Sequence, residues 1–442
     1  MSDAEPRGSI DAPPPDDDRD HGLLVLALLA GIAGVLIGVV GGAFRLALRW
    51  ADEARLHAVE WAQGDLWWRG ALLVVVAAVL VAIARFIVRL VPEAGGSGVQ
   101  RVEAHLRGEV PPAPLRVVPA KFVGGLLAIG SGLALGREGP TVQMGASLGA
   151  WTASWRGSSA HDVSTLQTSV AGAGLGVAFG APLGGAMFVF EEVARAFRTR
   201  LVVATLVSTA TALAVARLML GGAPVFDVPP LDAGPLLLLV GFAALGVLLG
   251  AGGVLYNRLV IAFLDLAERA PSVPPEAKAA AIGAVVMVVA LAAPSLVGGG
   301  DALNQDVLSS SATIGALAAV LVVRVLLGPL SYAAGTPGGL FAPLLVVGAL
   351  AGALLAELGG AVGLDLPVTV FAVVGMSTFF AAVVRAPVTG VILISEMTGQ
   401  TSLMVPMALA AAAAVVTATA MGGRPIYETL RIRMERGTVP TA

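Results

Sequence analysis

The chain contains one pattern twice. The frame Gly-x-x-x-Pro-x-x-x-x-Gly-Ala-x-x-Gly falls on Gly136, Pro140, Gly145, Ala146 and Gly149, and again on Gly339, Pro343, Gly348, Ala349 and Gly352, each pair 203 residues apart. A second set follows at an offset of 205, where Ala181-Pro182, Gly185 and Glu191 answer Ala386-Pro387, Gly390 and Glu396. Between uncharged runs, Phe122 to Gly136 and Gly139 to Trp155, sits Arg137-Glu138-Gly139-Pro140. A carboxylate among such runs is costly at membrane depth unless it has a partner or a task.

Composition places these runs in lipid. With 442 residues, 57% hydrophobic, 13% charged and a mean hydropathy of +0.87, the chain is more apolar than a soluble core can bury. Uncharged stretches near or above the roughly 20 residues that span a bilayer occur at Gly22 to Phe44, Val163 to Phe190, Ala233 to Tyr256, Ala279 to Gly300, Val325 to Ala356 and Met397 to Gly423. The expected fold is an all-α polytopic membrane protein, an inverted repeat of two halves, about 22–220 and 231–423, around one interface. Residues 22–434 then form one transmembrane domain, between a Pro- and Asp-rich disordered tail (1–21) and a short C-terminal tail (435–442). The N-terminal segment lacks the basic start and cleavage site of a secretory leader.

Several classes of site are disfavoured. The chain has no cysteine, which excludes disulfides and thiolate metal sites. Its four histidines, His21, His57, His105 and His161, fall in tails or connectors without metal-ligand spacing, so no metal or other cofactor is expected. Nothing points to nucleic acid.

Basic residues cluster at Arg101 to Lys121, Arg195 to Arg200 and Arg424 to Arg436, which the positive-inside tendency places on the cytoplasmic face. Counted upward from Lys121 at about 1.5 Å per residue, Glu138 should lie beyond the bilayer middle, toward the outside. Glu191 and Glu192, just before a basic cluster, should lie near the inner face.

Apolar sequence is also interrupted by Gly and Pro rather than by charged loops, at Gly95-Gly96-Ser97-Gly98, Gly136 to Pro140, Phe179 to Pro182, Gly335 to Gly339 and Arg385 to Pro387. Such breaks are tolerated at depth only inside protein or beside a water-filled cavity. Gly allows close backbone approach and Pro suits the first helical turn, so each break reads as a helix starting within the membrane. Helix starts present free N–H groups and a positive dipole end. Paired broken segments in two halves point to a transport site, and the transported ion should be an anion.

With these residues in view, the chain resembles the CLC family of chloride channels and proton/chloride antiporters, in a bacterial form. The resemblance rests on Gly96-Ser97-Gly98-Val99-Gln100, Gly136-Arg137-Glu138-Gly139-Pro140 and Gly339-Leu340-Phe341-Ala342-Pro343. It continues through Phe179 to Glu192, Arg385 to Thr398 and Gly423-Arg424-Pro425-Ile426-Tyr427, covering Gly22 to Met434. It implies a multi-pass homodimer in the inner (plasma) membrane, each subunit a separate pore through the lipid bilayer, exchanging chloride for protons. Ser97 and Tyr427 match a hydroxyl pair on a central chloride, and the N–H groups of Leu340 and Phe341 match its other donors. Glu138 matches the outer gate and proton acceptor, with Arg137 and Gly139 supplying outer-site backbone, and Glu192 matches the inner proton-transfer carboxylate. Gln100 departs from the family's usual proline. The resemblance also implies a dimer face around Leu183 to Phe190, Leu201 to Leu218 and Leu403 to Val416. With only eight residues after Met434, the paired cytoplasmic CBS domains of many relatives are not expected.

Three readings compete with that one or refine it. A passive voltage- or pH-gated chloride channel shares the fold, but carboxylates at both Glu138 and Glu192 favour coupling. An intramembrane serine hydrolase is suggested only by Gly145-Ala146-Ser147-Leu148-Gly149, which fits G-x-S-x-G but has no histidine in any apolar span to act as base. No enzyme activity is therefore expected. Glu191 and Glu396, matched in the two repeats, read as a structural pair.

Overall fold

The computed structural model of the protein describes residues 20–64, 66–309 and 312–438; the expected N-terminal tail up to residue 19 and residues 439–442 lie outside them. Seventeen α-helices make up the described chain, with only isolated bridges in place of strands. The chain begins with α1 (Asp20–Ala62), α2 (Trp67–Leu90), α3 (Val99–Leu106), α4 (Val117–Gly130), α5 (Glu138–Ser154), α6 (Ala160–Phe179), α7 (Pro182–Phe188) and α8 (Thr199–Leu220). It continues with α9 (Leu238–Glu268), α10 (Pro275–Ala292), α11 (Asp301–Ser309), α12 (Ile314–Tyr332), α13 (Phe341–Ala361), α14 (Val368–Val384), α15 (Pro387–Thr398), α16 (Met404–Ala420) and α17 (Ile426–Thr438). Among the described residues, seven helices are long and apolar enough to cross a membrane: α1, α2, α8, α9, α10, α12 and α13.

The expected breaks are all present, and two of them cut uncharged runs long enough to span a bilayer. Val163 to Phe190 divides at Gly180, which takes the left-handed conformation (φ +67°) before Pro182 starts α7. Val325 to Ala356 divides between Tyr332 and Phe341. One further break, at Gly399 (φ +70°), splits Met397 to Gly423 and carries no proline signal. The residue that repeats Gly180 at the offset of 205 is Arg385, which adopts the same left-handed conformation (φ +74°) despite its side chain. Its guanidinium is tied to Val415 O at 2.8 Å and Gly423 O at 3.0 Å, which holds a backbone state a non-glycine residue rarely takes.

The repeated Gly-Ala-x-x-Gly frame has a packing cause. A side chain at Gly149 would come within 2.8 Å of the Leu166 carbonyl carbon on α6, and one at Gly352 within 2.7 Å of the Phe371 carbonyl carbon on α14. Two helix pairs, α5 with α6 and α13 with α14, thus approach backbone to backbone, as small residues allow where lipid gives no hydrophobic drive. Ser147 lies in mid-helix, its hydroxyl donating to Gln143 O at 3.0 Å, so its pentapeptide serves packing and is not a nucleophile elbow.

Glu191 and Glu396 close the repeat reciprocally. Glu396, late in α15, accepts from the N–H groups of Leu183 (3.2 Å) and Gly184 (2.7 Å) at the start of α7. Glu191, just past α7, accepts from Val388 (3.0 Å) and Thr389 (2.6 Å) at the start of α15, and from the Thr389 hydroxyl (2.7 Å). Each half-helix carries the acid that satisfies the other's free donors, where charge and dipole act together. Glu396→Ala should therefore lower folding stability in detergent by about 3 kcal/mol, the low end for two charge-assisted bonds lost at about 1.5 kcal/mol each. Thermal unfolding followed by size-exclusion chromatography reads this, and an unchanged midpoint would remove the capping role.

Candidate functional site

Three of the breaks meet at one point. Gly136 and Gly339 exchange both backbone hydrogen bonds (2.8 and 2.9 Å), while Gly96 donates to Thr336 O (3.2 Å) and accepts from Gly338 N–H (3.2 Å). These short bridges bring together the starts of α3, α5 and α13. Each start leaves N–H groups without intrahelical partners, so one small volume collects several positive dipole ends.

Glu138 sits at that point, as the first residue of α5, completely buried. Its Oε1 accepts from Phe341 N–H at 2.8 Å, so the carboxylate occupies the start of the opposite helix. Arg137 does not pair with it: its Nη1 meets Asp301 at 2.7 Å and its Nε donates to Ala178 O at 2.9 Å. A side chain at Gly139 would stand 2.8 Å from Ser97 Oγ, so the α5 start abuts the serine. The hydroxyls of Ser97 and Tyr427 are buried near one another, and among the described residues no further group hydrogen-bonds to either. Leu340 forms the cap residue of α13, and the Phe341 ring is enclosed by Phe380 (4.3 Å), Phe179 and Phe188 (5.6 Å each) and Tyr427 (6.4 Å). Ser97, Glu138, Gly139, Leu340, Phe341 and Tyr427 are thus gathered in one place. What they offer is hydroxyls, amide N–H groups and aromatic edges, a set suited to a weakly held anion.

Gln100 leaves the α3 start intact. The helix begins at Val99 behind Gly98 (φ +89°), and the Gln100 side chain lies beside the hydroxyl of Tyr332. That hydroxyl accepts from Ser97 N–H at 3.4 Å. An amide and a phenol therefore fix the loop where a proline was expected.

Lys121 overturns one expectation. By sequence it closes a cytoplasmic basic cluster, yet it is fully buried, and its ammonium donates to Gly96 O (2.6 Å) and Ser97 O (3.3 Å). It braces the serine loop from within, so the depth of Glu138 cannot be measured upward from it. α4 also ends at Gly130, so the run to Gly136 is not one continuous climb.

Glu192 lies apart, in a single π-helical turn, Val189–Val193, 3.8 Å from Arg195 and almost fully buried. Against it stands Glu103 of α3, also buried, with Arg195, Arg107 and Arg431 around the pair. Two adjacent buried carboxyls cannot both carry charge without repulsion. Tyr427 lies within electrostatic reach of both Glu138 and Glu192. Sequence reasoning missed Glu103, Tyr332 and the brace of Lys121. Only Glu103 left a trace, as an acid within a basic connector. The three basic connectors do converge on one face, as Arg195 and Arg431 both surround Glu103.

A methyl group at Gly339 would collide with the Glu138 carboxylate and stand 3.0 Å from Gly139 N. Gly339→Ala should expel the carboxylate from the Phe341 N–H, and a structure of that variant with Glu138 still seated there would show that the seat is not steric.

Comparison with known proteins agrees with this geometry. Residues 80–419 match the family described as voltage gated chloride channel. Proteins named H(+)/Cl(-) exchange transporter ClcA from Salmonella arizonae and Salmonella typhimurium are each 35% identical over 433 residues, covering 94% of this chain and 90% of the relative. Among solved structures, a slow cyanobacterial Cl-/H+ antiporter superposes with a TM-score of 0.89 at 30% identity, over 93% of this chain and 98% of the other. A eukaryotic CLC transporter gives 0.81 at 25% identity, over 93% and 74% of the respective chains. A CLC-type fluoride/proton antiporter shares the fold, with a TM-score of 0.78 at 20% identity over 92% and 98%. With its repeat, its broken helices and more than three-quarters of its length matched, the chain belongs to the voltage-gated chloride channel, or CLC, family.

Proposed function

We propose that this protein exchanges chloride for protons across the inner (plasma) membrane as a homodimer, with one site in each subunit. The observation that carries this reading is the Glu138 carboxylate on the Phe341 N–H, where a side chain holds a helix start that would otherwise be free to receive an anion. A charged Glu138 competes with chloride for those donors; a protonated one no longer needs them and leaves. Binding of proton and anion at this point are thereby linked. The outer backbone of Arg137 and Gly139 belongs to the same seat, and Ser97, Tyr427 and the starts of Leu340 and Phe341 hold the anion further in. Glu192, beside Glu103, is the inner proton-transfer group.

The names of the similar proteins support exchange of Cl- and H+. Buried Glu192 supports it over a passive channel, because an inner carboxyl has no place in a path for anions alone. Residues 22–434 work as one transmembrane unit of two halves, 22–220 and 231–423. For the dimer, the surface offers exposed Leu183, Val388, Val405 and Leu409 on the adjoining helices α7, α15 and α16. Phe188 and Phe190 of the same stretch are buried, and Phe188 belongs to the ring cluster around Phe341.

Two substitutions test the coupling. Glu138→Gln should carry chloride without pH dependence and without proton movement, and Glu192→Gln should retain chloride movement but lose uphill proton pumping. Both are read in liposomes under opposed chloride and pH gradients. A wild-type reversal potential set by chloride alone would make the protein a channel.

A separate substitution tests the central site. Ser97→Pro removes a hydroxyl and stiffens the loop, so nitrate should gain on chloride. An unchanged nitrate/chloride preference would show that this hydroxyl does not read the anion.

A further inference from the structure

On the face away from the basic connectors, two cavities share one wall. α8 fixes the sidedness: its 22 residues run from the Arg198 and Arg200 end to Arg217, about 33 Å at the helical rise. The larger cavity, about 440 Å³, is lined there by Arg45, Arg49, Arg137 and Arg217, with Asp52 and Asp301 among its acids. The smaller, about 330 Å³, reaches Leu135, Gly136 and Ala342, the backbone that encloses Glu138. Arg137, Asp301 and Asp52 line both. The 2.7 Å ion pair of Arg137 with Asp301 therefore forms the wall between an arginine-rich chamber and the chamber beside Glu138.

The wall is built rather than incidental. Arg137 is aimed by its bond to Ala178 O, and Arg45 by a 2.8 Å bond to Val177 O, leaving a buried Arg45 Nε without a protein partner. Arg324, fully buried, donates to Leu296 O (3.0 Å) and Gly298 O (3.1 Å) and so fixes the loop that delivers Asp301 at the start of α11. Asp52 is already engaged by Arg55 at 2.6 Å. Asp301 is the carboxylate in direct ion-pair contact with Arg137, and its side chain is 43% exposed, so water and ions can reach it.

We propose that the larger cavity is an outer collecting site for the transported anion, and that Asp301 sets its strength by competing with that anion for Arg137. An anion drawn in by Arg49 and Arg217 meets a guanidinium whose donors are shared with a carboxylate. It is held weakly and passes over Arg137 into the chamber beside Glu138. Without Asp301 the same site would hold the anion more tightly. This inference rests on the proposed anion transport and adds a site outside the gate.

Asp301→Asn should lower the chloride concentration for half-maximal transport from the Asp301 face about twofold to fivefold, the scale of a partly exposed ion pair. The value from the opposite face should stay in place. Arg49→Gln and Arg217→Gln, whose side chains are exposed in the subunit, should raise it from the Asp301 face only. Liposomes of uniform orientation, with chloride varied on one face at a time, give these values. Equal shifts from both faces, or no shift in any of the three variants while wild type still exchanges chloride, would overturn the collecting site and leave the transport reading intact. Absence of chloride movement in wild type would overturn the transport reading itself.

Discussion

Everything in this fold follows from the need to satisfy free backbone groups where helices begin inside an apolar layer. A helix that starts at depth leaves N–H groups that lipid cannot satisfy, and each such group is expensive. The chain answers in two ways. At Glu191 and Glu396 it supplies a permanent carboxylate, and the junction is structural. At Glu138 it supplies a carboxylate on the Phe341 N–H, next to hydroxyls left without an outside partner among the described residues. The same physical demand, met fully in one place and sparingly in another, separates scaffold from working site.

The sparing answer depends on close backbone contact. The Gly136–Gly339 bridge can exist only because neither residue has a side chain, since one at either position would strike the Glu138 carboxylate. Lys121 and Tyr332 then fix the third break from behind, through the carbonyls of Gly96 and Ser97 and the Ser97 N–H. The backbone of the site is thus held by hydrogen bonds from several sides, and the Glu138 carboxylate rests on the start of the helix opposite.

Much of this was legible in the sequence because glycine, proline and internal offset are local signals. The breaks, the repeat, and the gathering of Ser97, Glu138, Phe341 and Tyr427 could be read from motif and resemblance together. The long-range partners could not. Lys121 looks like any basic connector residue until its side chain is seen to turn inward, and nothing near Tyr332 or Gln100 in sequence says that they meet. Asp301 follows a run of glycines that could have been a surface loop; only the fold brings it 164 positions back to Arg137. The break at Gly399 falls in an uncharged but polar stretch, Thr398-Gly399-Gln400-Thr401-Ser402, which the absence of charge alone does not set apart from the apolar sequence around it.

The reciprocal capping of α7 and α15 bears on how the chain is made. When α7 leaves the ribosome and enters the bilayer, the acid that caps its start lies more than two hundred residues downstream, still unsynthesised. The early half therefore waits in the membrane with an open helix end, and only the late arrival of α15 closes it, while Glu191 at the same moment closes α15. The two caps are mutual, so neither half-helix has its start satisfied by the other's acid until α7 and α15 lie side by side.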